Sequence, residues 1–149
     1  MRWFNIFTQQ VRPQHDGLAE DDPAYVALLE IMAIAMMADR HVSLQERDAI
    51  TSLLRRLAPQ QPHPSEHLIN QSVRTARELL GAQALEREAA LATIASKLSP
   101  ELRQTAYRAA LIIVRADDEV VPQESRTLLE LRTALELSAE QAQRIADAL

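Results

Sequence analysis

Two runs of apolar residues constrain the fold of this chain more than any other feature. Residues Ile31 to Ala38 carry no polar side chain, and residues Ala109 to Val114 form a similar run later in the sequence. A helix that is apolar on every side must be buried. Each run falls well below the roughly 20 residues that a membrane-spanning helix needs. The two runs therefore predict two helices at the centre of a helical bundle, and no membrane span.

Helix start signals divide the rest of the chain. Asp22 is a suitable N-cap and precedes Pro23, so a first helix is predicted to begin there and to run to about Ala38. Further helix starts are predicted at or near Ser43, Ser65, Gln83, Ser99, Pro122 and Ser138. No segment alternates polar and apolar residues over a useful length, so no sheet is expected. The predicted fold class is all-α, a compact bundle of about seven helices.

The later helices carry apolar residues at helical spacing, which predicts the faces that they turn toward the core. These residues are Ile69, Val73, Ala76 and Leu80, then Leu91, Ile94, Ala95 and Leu98, and finally Leu128, Leu131 and Leu135. Apolar residues make up 47% of the chain and aromatic residues only 3%. Aliphatic side chains must therefore fill the core, as is typical of helical bundles.

The first 21 residues differ in character from the rest. We expect an N-terminal arm over residues 1–21 and a single domain over residues 22–149, since one core suffices for a chain of 149 residues. Trp3, Phe4 and Phe7 cluster in this arm. One interpretation is that they fold back over the bundle and cover apolar surface. The other is that they anchor the chain on a partner or make peripheral contact with a membrane surface.

Composition excludes several classes of site and partner. The chain has no cysteine, which excludes disulfides, thiolate metal ligands and a thiol nucleophile. It has only 2 glycines, which argues against a glycine-rich phosphate loop. The net charge of -5 argues against nucleic-acid binding. The apolar stretch at the N-terminus is too short for a secretion signal. We therefore expect a cytoplasmic protein that is not an enzyme.

An internal repeat relates two parts of the chain, at about residues 23–58 and 100–136, with a constant offset. The matched pairs are Ala38 and Ala116, Asp39 and Asp117, Val42 and Val120, Glu46 and Glu124, Ile50 and Leu128, and Leu53 and Leu131. The same offset aligns the apolar halves of the two central helices. Such self-similarity predicts an internal duplication of one element, a helix, a turn and a second helix.

This element has an Asp at the end of an apolar helix, a short turn with an inward Val, and a Glu in the first turn of the next helix. In these features it resembles the TerB-like family, over roughly residues 24–149. The resemblance implies a compact helical bundle with an internal duplication, found in bacterial tellurite-resistance systems and also fused to other domains. The family usually has Gly directly after the Asp, where this chain has Arg40 and Asp118.

The duplicated turns carry oxygen ligands of the kind that calcium or magnesium prefers. The candidate metal ligands are Asp39, Glu46, Asp117 and Glu124, and the candidate additional ligands are His41, Asp118 and Glu119. The spacing is not that of an EF-hand, because Ile50 and Leu128 stand where the closing glutamate would fall. A structural interpretation stays open, in which the acids favour helix N-termini, accept backbone N–H groups or pair with arginine.

These features favour a non-enzymatic binding module of a bacterial stress, tellurite-resistance or metal-resistance system. We expect it to bind a partner protein; a divalent cation at the duplicated acidic turns is the less favoured of the two interpretations of the acids. One alternative is a purely structural interaction domain without a ligand, whose apolar faces a homodimer completes. A less favoured alternative is a metal-dependent hydrolase that uses the paired carboxylates. No catalytic residue and no further cofactor are predicted.

Overall fold

The computed structural model describes residues 22–38, 66–115 and 122–149. Within these ranges the helices are α1 Pro23–Met37, α2 Glu66–Gly81, α3 Ala84–Ala95, α4 Pro100–Val114, α5 Pro122–Ala134 and α6 Ala139–Asp147. The described ranges contain no strand, and the predicted all-α class is confirmed. The helix predicted to start at Ser43 and the arm predicted over residues 1–21 lie outside the described residues.

Helix α1 occupies the centre of the bundle. Its N-cap is Asp22, whose Oδ1 accepts a hydrogen bond from the backbone N–H of Ala24 at 2.9 Å, and Pro23 begins the helix as predicted. Every residue from Ala27 to Met37 is buried. The helix contacts α2, α3, α4 and α5. Its apolar sequence follows from this position, because neighbouring helices cover it on several sides.

Helix α4 is the second central helix. The Oγ of Ser99 accepts a hydrogen bond from the backbone N–H of Leu102 at 3.3 Å, and Pro100 begins the helix. The run from Ala109 to Val114 is buried, as predicted. Helix α4 contacts α1, α5 and α6. Both central helices are therefore capped by a short polar side chain followed by proline, which fixes where each one starts.

Helices α2 and α3 lie beside α1. The inward residues predicted for α3 are all buried, although the helix ends at Ala95 and Leu98 belongs to the following turn. Of the inward residues predicted for α2, Ile69 and Ala76 are buried, and Val73 and Leu80 are partly buried and packed against the core. Leu68, Ser72 and Leu79 are also buried, which widens the face that the spacing predicted. Helix α2 contacts both α1 and α3.

Helices α5 and α6 complete the described bundle. Leu131 and Leu135 are buried as predicted, and Leu128 is partly buried against the core. A capping box begins α6, in which the side chains of Ser138 and Gln141 each accept the other residue's backbone N–H. Across the described residues, no helix combines the length and hydropathy needed to cross a membrane.

The turn after α5 has a Schellman arrangement. The backbone N–H of Leu137 donates to the carbonyl of Arg132, and the N–H of Glu136 donates to the carbonyl of Thr133, each at 3.1 Å. Glu136 occupies the left-handed position of this motif, with a φ of 57°. A residue other than glycine costs roughly 1–2 kcal/mol in that conformation. The chain therefore places a strained glutamate between α5 and α6.

Candidate functional site

Most residues of the predicted metal site lie outside the described ranges. They are Asp39, His41, Glu46, Asp117, Asp118 and Glu119. The predicted aromatic anchor, Trp3, Phe4 and Phe7, lies outside these ranges as well. Within the described part of the chain, no group of three or more His, Asp or Glu side chains is placed to hold a metal ion. The metal site and the anchor therefore stay predictions.

Glu124 is the member of the predicted ligand set that the structure places. It lies in the first turn of α5, where a carboxylate stabilises the helix N-terminus. Its exposed fraction is only 4%, and it takes part in an interaction. A buried carboxylate requires hydrogen bonds or a cation. This burial agrees with both interpretations of the acids, as metal ligands and as paired structural residues.

A groove of about 400 Å³ lies between α3 and α5. Its apolar walls come from Ala84, Leu91 and Ala92 on one side and from Leu129 and Ala134 on the other. The polar residues that line it are Glu88, Glu130, Thr133 and Glu136. The groove therefore combines an apolar wall with carboxylates and without a basic side chain among its lining residues. Alanine contributes to both walls, and its small side chain leaves room between the two helices.

A bidentate ion pair joins the two helices that form the groove. The Nε and Nη2 of Arg87 donate to the two carboxylate oxygens of Glu130, at 2.6 and 2.9 Å. The Nη1 of Arg87 donates to the backbone carbonyl of Ala82 at 2.8 Å. Hydrogen bonding to Glu130 raises the pKa of the Arg87 guanidinium above its usual range. Paired arginine and carboxylate groups of this geometry fix orientation as well as distance, so α3 is held against α5.

A second ion pair holds the strained turn at the edge of the groove. The Nη1 of Arg103 donates to the carboxylate of Glu136 at 2.9 Å, and its Nε donates to the carbonyl of Leu98 at 3.1 Å. The side chain of Glu136 is itself mostly exposed, at 77%. Backbone strain is often retained where a side chain must stand at a functional position. Glu136 is thus a carboxylate on the rim of the groove, with its backbone held by the turn.

Two leucines are exposed at or beside the groove. Leu129 lines it and has an exposed fraction of 55%, and Leu85, next to the lining residue Ala84, has 82%. They are the large apolar residues that the described part of the chain exposes. Apolar side chains grouped on a surface mark interaction sites. Neither leucine was predicted to be exposed. For Leu129 a signal was present in the sequence, because it does not share the helical spacing of the inward leucines of α5.

Glu30 is another residue that the sequence analysis missed. It lies in the buried middle of α1, with an exposed fraction of 9%. Burial raises the pKa of its carboxyl group, and the positive charge of Lys97 acts in the opposite direction. The available signal was a single charged residue in the apolar stretch from Val26 to Ala38. The core therefore contains an ionisable group that is separate from the groove lining.

The chain is similar to a known protein family over most of its length. The model of the family described as tellurite resistance protein TerB matches residues 25–147. This range includes α2 to α6, with the groove between α3 and α5, and nearly all of α1. No curated protein and no solved structure matches the chain.

Proposed function

Because the chain belongs to the TerB family, we propose that it is a non-enzymatic module of a bacterial tellurite-resistance or related stress system that binds a partner protein. We place this role in the cytoplasm. The observation that carries the proposal is the groove between α3 and α5, where Leu129 is exposed on an apolar wall and Leu85 is exposed nearby. An exposed apolar groove suits association with a partner, since contiguous apolar surface with a polar rim is typical of interaction sites.

The occupant of the groove is an amphipathic helix of the partner, with an apolar face and basic residues beside it. Helices of this kind lay their apolar face into a groove between two helices. Glu88 forms no ion pair with any described residue, and Glu136 is mostly exposed despite its bond to Arg103. The chain as a whole carries a net charge of -5. Basic flanks on the partner would therefore be attracted to this rim, and acidic flanks would be repelled.

The groove is organised before a partner arrives. The bidentate pair of Arg87 and Glu130 joins the two helices, and the Schellman turn holds the backbone of Glu136. A binding surface that is already ordered loses less conformational entropy on association. The exposed side chain of Leu129 is then the apolar anchor point for the partner.

A synthetic helical peptide provides a direct test. The probe is an amphipathic peptide of about 15 residues with leucines at helical spacing and lysines beside them. We expect it to shift the amide resonances of Ala92, Leu129 and Thr133 in a titration followed by NMR. Leu129→Ala should weaken its affinity by about tenfold, because that side chain loses its apolar contact. Shifts that avoid the groove, or no saturable binding, would overturn the proposal.

Two variants that remove the same charge test whether the glutamates on the rim of the groove bind the peptide, or whether the net negative charge of the protein merely attracts it. Glu88→Gln should weaken binding of the lysine peptide, and the effect should decline as salt is raised. Glu140→Gln removes the same charge from the exposed surface of α6 and should leave the affinity unchanged. A peptide with glutamates in place of the lysines should bind more weakly than the lysine peptide. Equal losses in the two variants would contradict the role of the rim.

Competing occupants of the groove give different results. A second copy of the chain would appear as a dimer in sedimentation, and Leu129→Asp would dissociate it. The aromatic residues of positions 1–7 would block the groove from within the chain, so that the peptide binds only after those residues are deleted. Either result would assign the groove to that occupant and overturn partner binding there.

A divalent cation at the duplicated acidic turns is the second candidate function. Glu124 is the member of the predicted ligand set that the structure describes, and it is buried in the first turn of α5, at the position that the duplication pairs with Glu46. The internal duplication would supply Asp39 and Glu46 from the first turn, and Asp117 with Glu124 from the second. Carboxylates are the ligands that calcium and magnesium prefer.

Calorimetric titration tests the cation. Calcium, magnesium, manganese and zinc are each titrated into the unaltered protein and into Asp39→Asn and Asp117→Asn. We expect saturable heat for at least one ion, and its loss in both variants, because each variant removes an anionic ligand. Glu140→Gln is the control that leaves the turns intact. An absence of heat for all four ions in the unaltered protein would reject the metal site and would leave partner binding untouched.

A further inference from the structure

A second cleft, of about 320 Å³, lies between α4 and α6 and differs in character from the groove. Gln104 and Arg108 line it from α4, and Gln141, Arg144 and Ile145 line it from α6. Ile145 is buried, so the apolar side of the cleft borders the core. The other lining side chains are guanidinium and carboxamide groups, which donate hydrogen bonds. None of the described residues that line this cleft carries a carboxylate.

The two arginines of the cleft form no salt bridge with a described residue. The salt bridges among the described residues are those of Arg87 and Arg103, and Arg108 and Arg144 form none. The chain nevertheless has 21 acidic residues against 16 basic ones. Two guanidinium groups that line one cleft both contribute positive charge to it. The cleft therefore carries positive charge that the described acids do not neutralise.

Acids are present on the same helices without reaching these arginines. Glu140 precedes Arg144 by one turn of α6, and Glu101 lies two turns before Arg108 in α4. Neither forms a salt bridge with the arginines in the described structure. The position of Arg144 in the last turn of α6 does favour the helix dipole. The helix dipole therefore accounts for Arg144 at the end of α6. It does not account for Arg108, which lines the same cleft from α4.

Nearby groups complete a donor set. The Oε1 of Gln141 accepts the backbone N–H of Ser138 at 2.9 Å, which fixes its carboxamide and leaves the amide nitrogen as a donor. Arg115 lies two turns after Arg108, and its Nη1 donates to the carbonyl of Ala146 at 3.4 Å, at the end of the same contact between α4 and α6. Its charge adds to the positive potential on this side of the bundle.

We propose that the cleft between α4 and α6 binds a small divalent oxyanion, of the phosphate or sulfate class, held by Arg108 and Arg144 with the carboxamides of Gln104 and Gln141. Guanidinium groups bind oxyanions through parallel hydrogen bonds, and carboxamide donors add direction. The anion bridges an arginine of α4 and an arginine of α6, and so links the two helices. This site is separate from the groove between α3 and α5 and from the predicted acidic turns, so it does not depend on either proposed function.

Titration with inorganic anions tests the site. Sodium sulfate and sodium phosphate are added at constant ionic strength, with sodium nitrate as the singly charged comparison, and binding is followed by the amide resonances of α4 and α6. We expect saturable binding of the two divalent anions with a Kd of about a millimolar or tighter. Arg108→Gln and Arg144→Gln should each weaken it by about tenfold, because each removes a charged hydrogen-bond donor. The rise in melting temperature with sulfate should be smaller in Arg144→Gln than in the unaltered protein, because the general stabilising effect of sulfate acts on both proteins and binding in the cleft only on the second.

Arg126→Gln is the matched control, because Arg126 is an exposed arginine of α5 outside the cleft and its removal changes net charge equally. It should leave sulfate affinity within about twofold of the unaltered protein. Equal losses in the cleft variants and in Arg126→Gln would show general charge attraction and would overturn the proposal. Equal response to nitrate and sulfate, or resonances that shift without saturation, would overturn it as well. Arg144→Gln keeps the test valid if Arg108→Gln fails to fold, because Arg144 is exposed.

Discussion

Glu30 places an ionisable group in the helix that the rest of the bundle covers. Its pKa is raised by burial from the ordinary value of 4.5, while Lys97 opposes this shift. The folded state therefore binds this proton more tightly than the unfolded state does. The resulting stability is present in full below about pH 4.5 and is lost as the pH rises through the folded-state pKa. At neutral pH the buried charge lowers the free energy of unfolding.

Glu30→Gln tests this account, because glutamine has a similar shape and no charge. We expect the variant to melt at a higher temperature than the unaltered protein at pH 7, with the difference declining as the pH falls toward about 4.5. Thermal melts followed by circular dichroism at several pH values measure the difference. Lys97→Gln should lower the melting temperature at pH 7 in the unaltered protein, and less so when combined with Glu30→Gln. A difference that does not change with pH would contradict the assignment.

At the scale of single helices, the sequence predicted most starts because short-range chemistry determines them. Asp22 with Pro23, Ser99 with Pro100, and Ser138 with Gln141 each act within one turn, and all three form the predicted caps. The inward faces of α3 and α5 followed from helical spacing. Contacts within one helix can thus be predicted from residues that lie close together in the sequence.

Contacts between helices could not be predicted in the same way. Arg87 and Glu130 are far apart in the sequence, and nothing in either local pattern indicates that they meet. The same holds for Arg108 and Arg144 in the cleft between α4 and α6. The backbone strain at Glu136 could not be predicted either, because a Schellman turn usually has glycine at that position. The groove could not be predicted from the sequence, because it is formed by the packing of α3 on α5.

The pair of Arg87 and Glu130 determines how α3 sits on α5. Its side chains are 12% and 27% exposed and its hydrogen bonds are bidentate. A double-mutant cycle with Arg87→Ala and Glu130→Ala should give a coupling of about 1–2 kcal/mol in urea denaturation. The matched comparison is the pair of Arg103 and Glu136, whose glutamate is largely exposed. Its cycle should give less than about 0.5 kcal/mol, and the reverse order would refute this ranking.

At the scale of the whole bundle, most of the large aliphatic side chains of the described residues lie in a core around α1, and two are exposed. Ile34 is fully buried in α1, whereas Leu85 and Leu129 are exposed on α3 and α5. A residue that folding requires is normally removed from water, because burial of apolar area is what stabilises the core. The two exposed leucines gain little from that effect. Their presence is better explained by the partner that the groove is proposed to bind.

Alanine substitutions at these positions should therefore separate stability from binding. Ile34→Ala should lower the free energy of unfolding by about 2–5 kcal/mol, because it leaves a cavity at the centre of the bundle. Leu85→Ala and Leu129→Ala should each change it by no more than about 0.5 kcal/mol. Urea denaturation followed by circular dichroism gives these values, and the lysine peptide gives the corresponding affinities. Leu129→Ala should lose peptide affinity while it keeps its stability. A large loss of stability in that variant would place Leu129 in the core instead, and the groove would then lack its apolar anchor point.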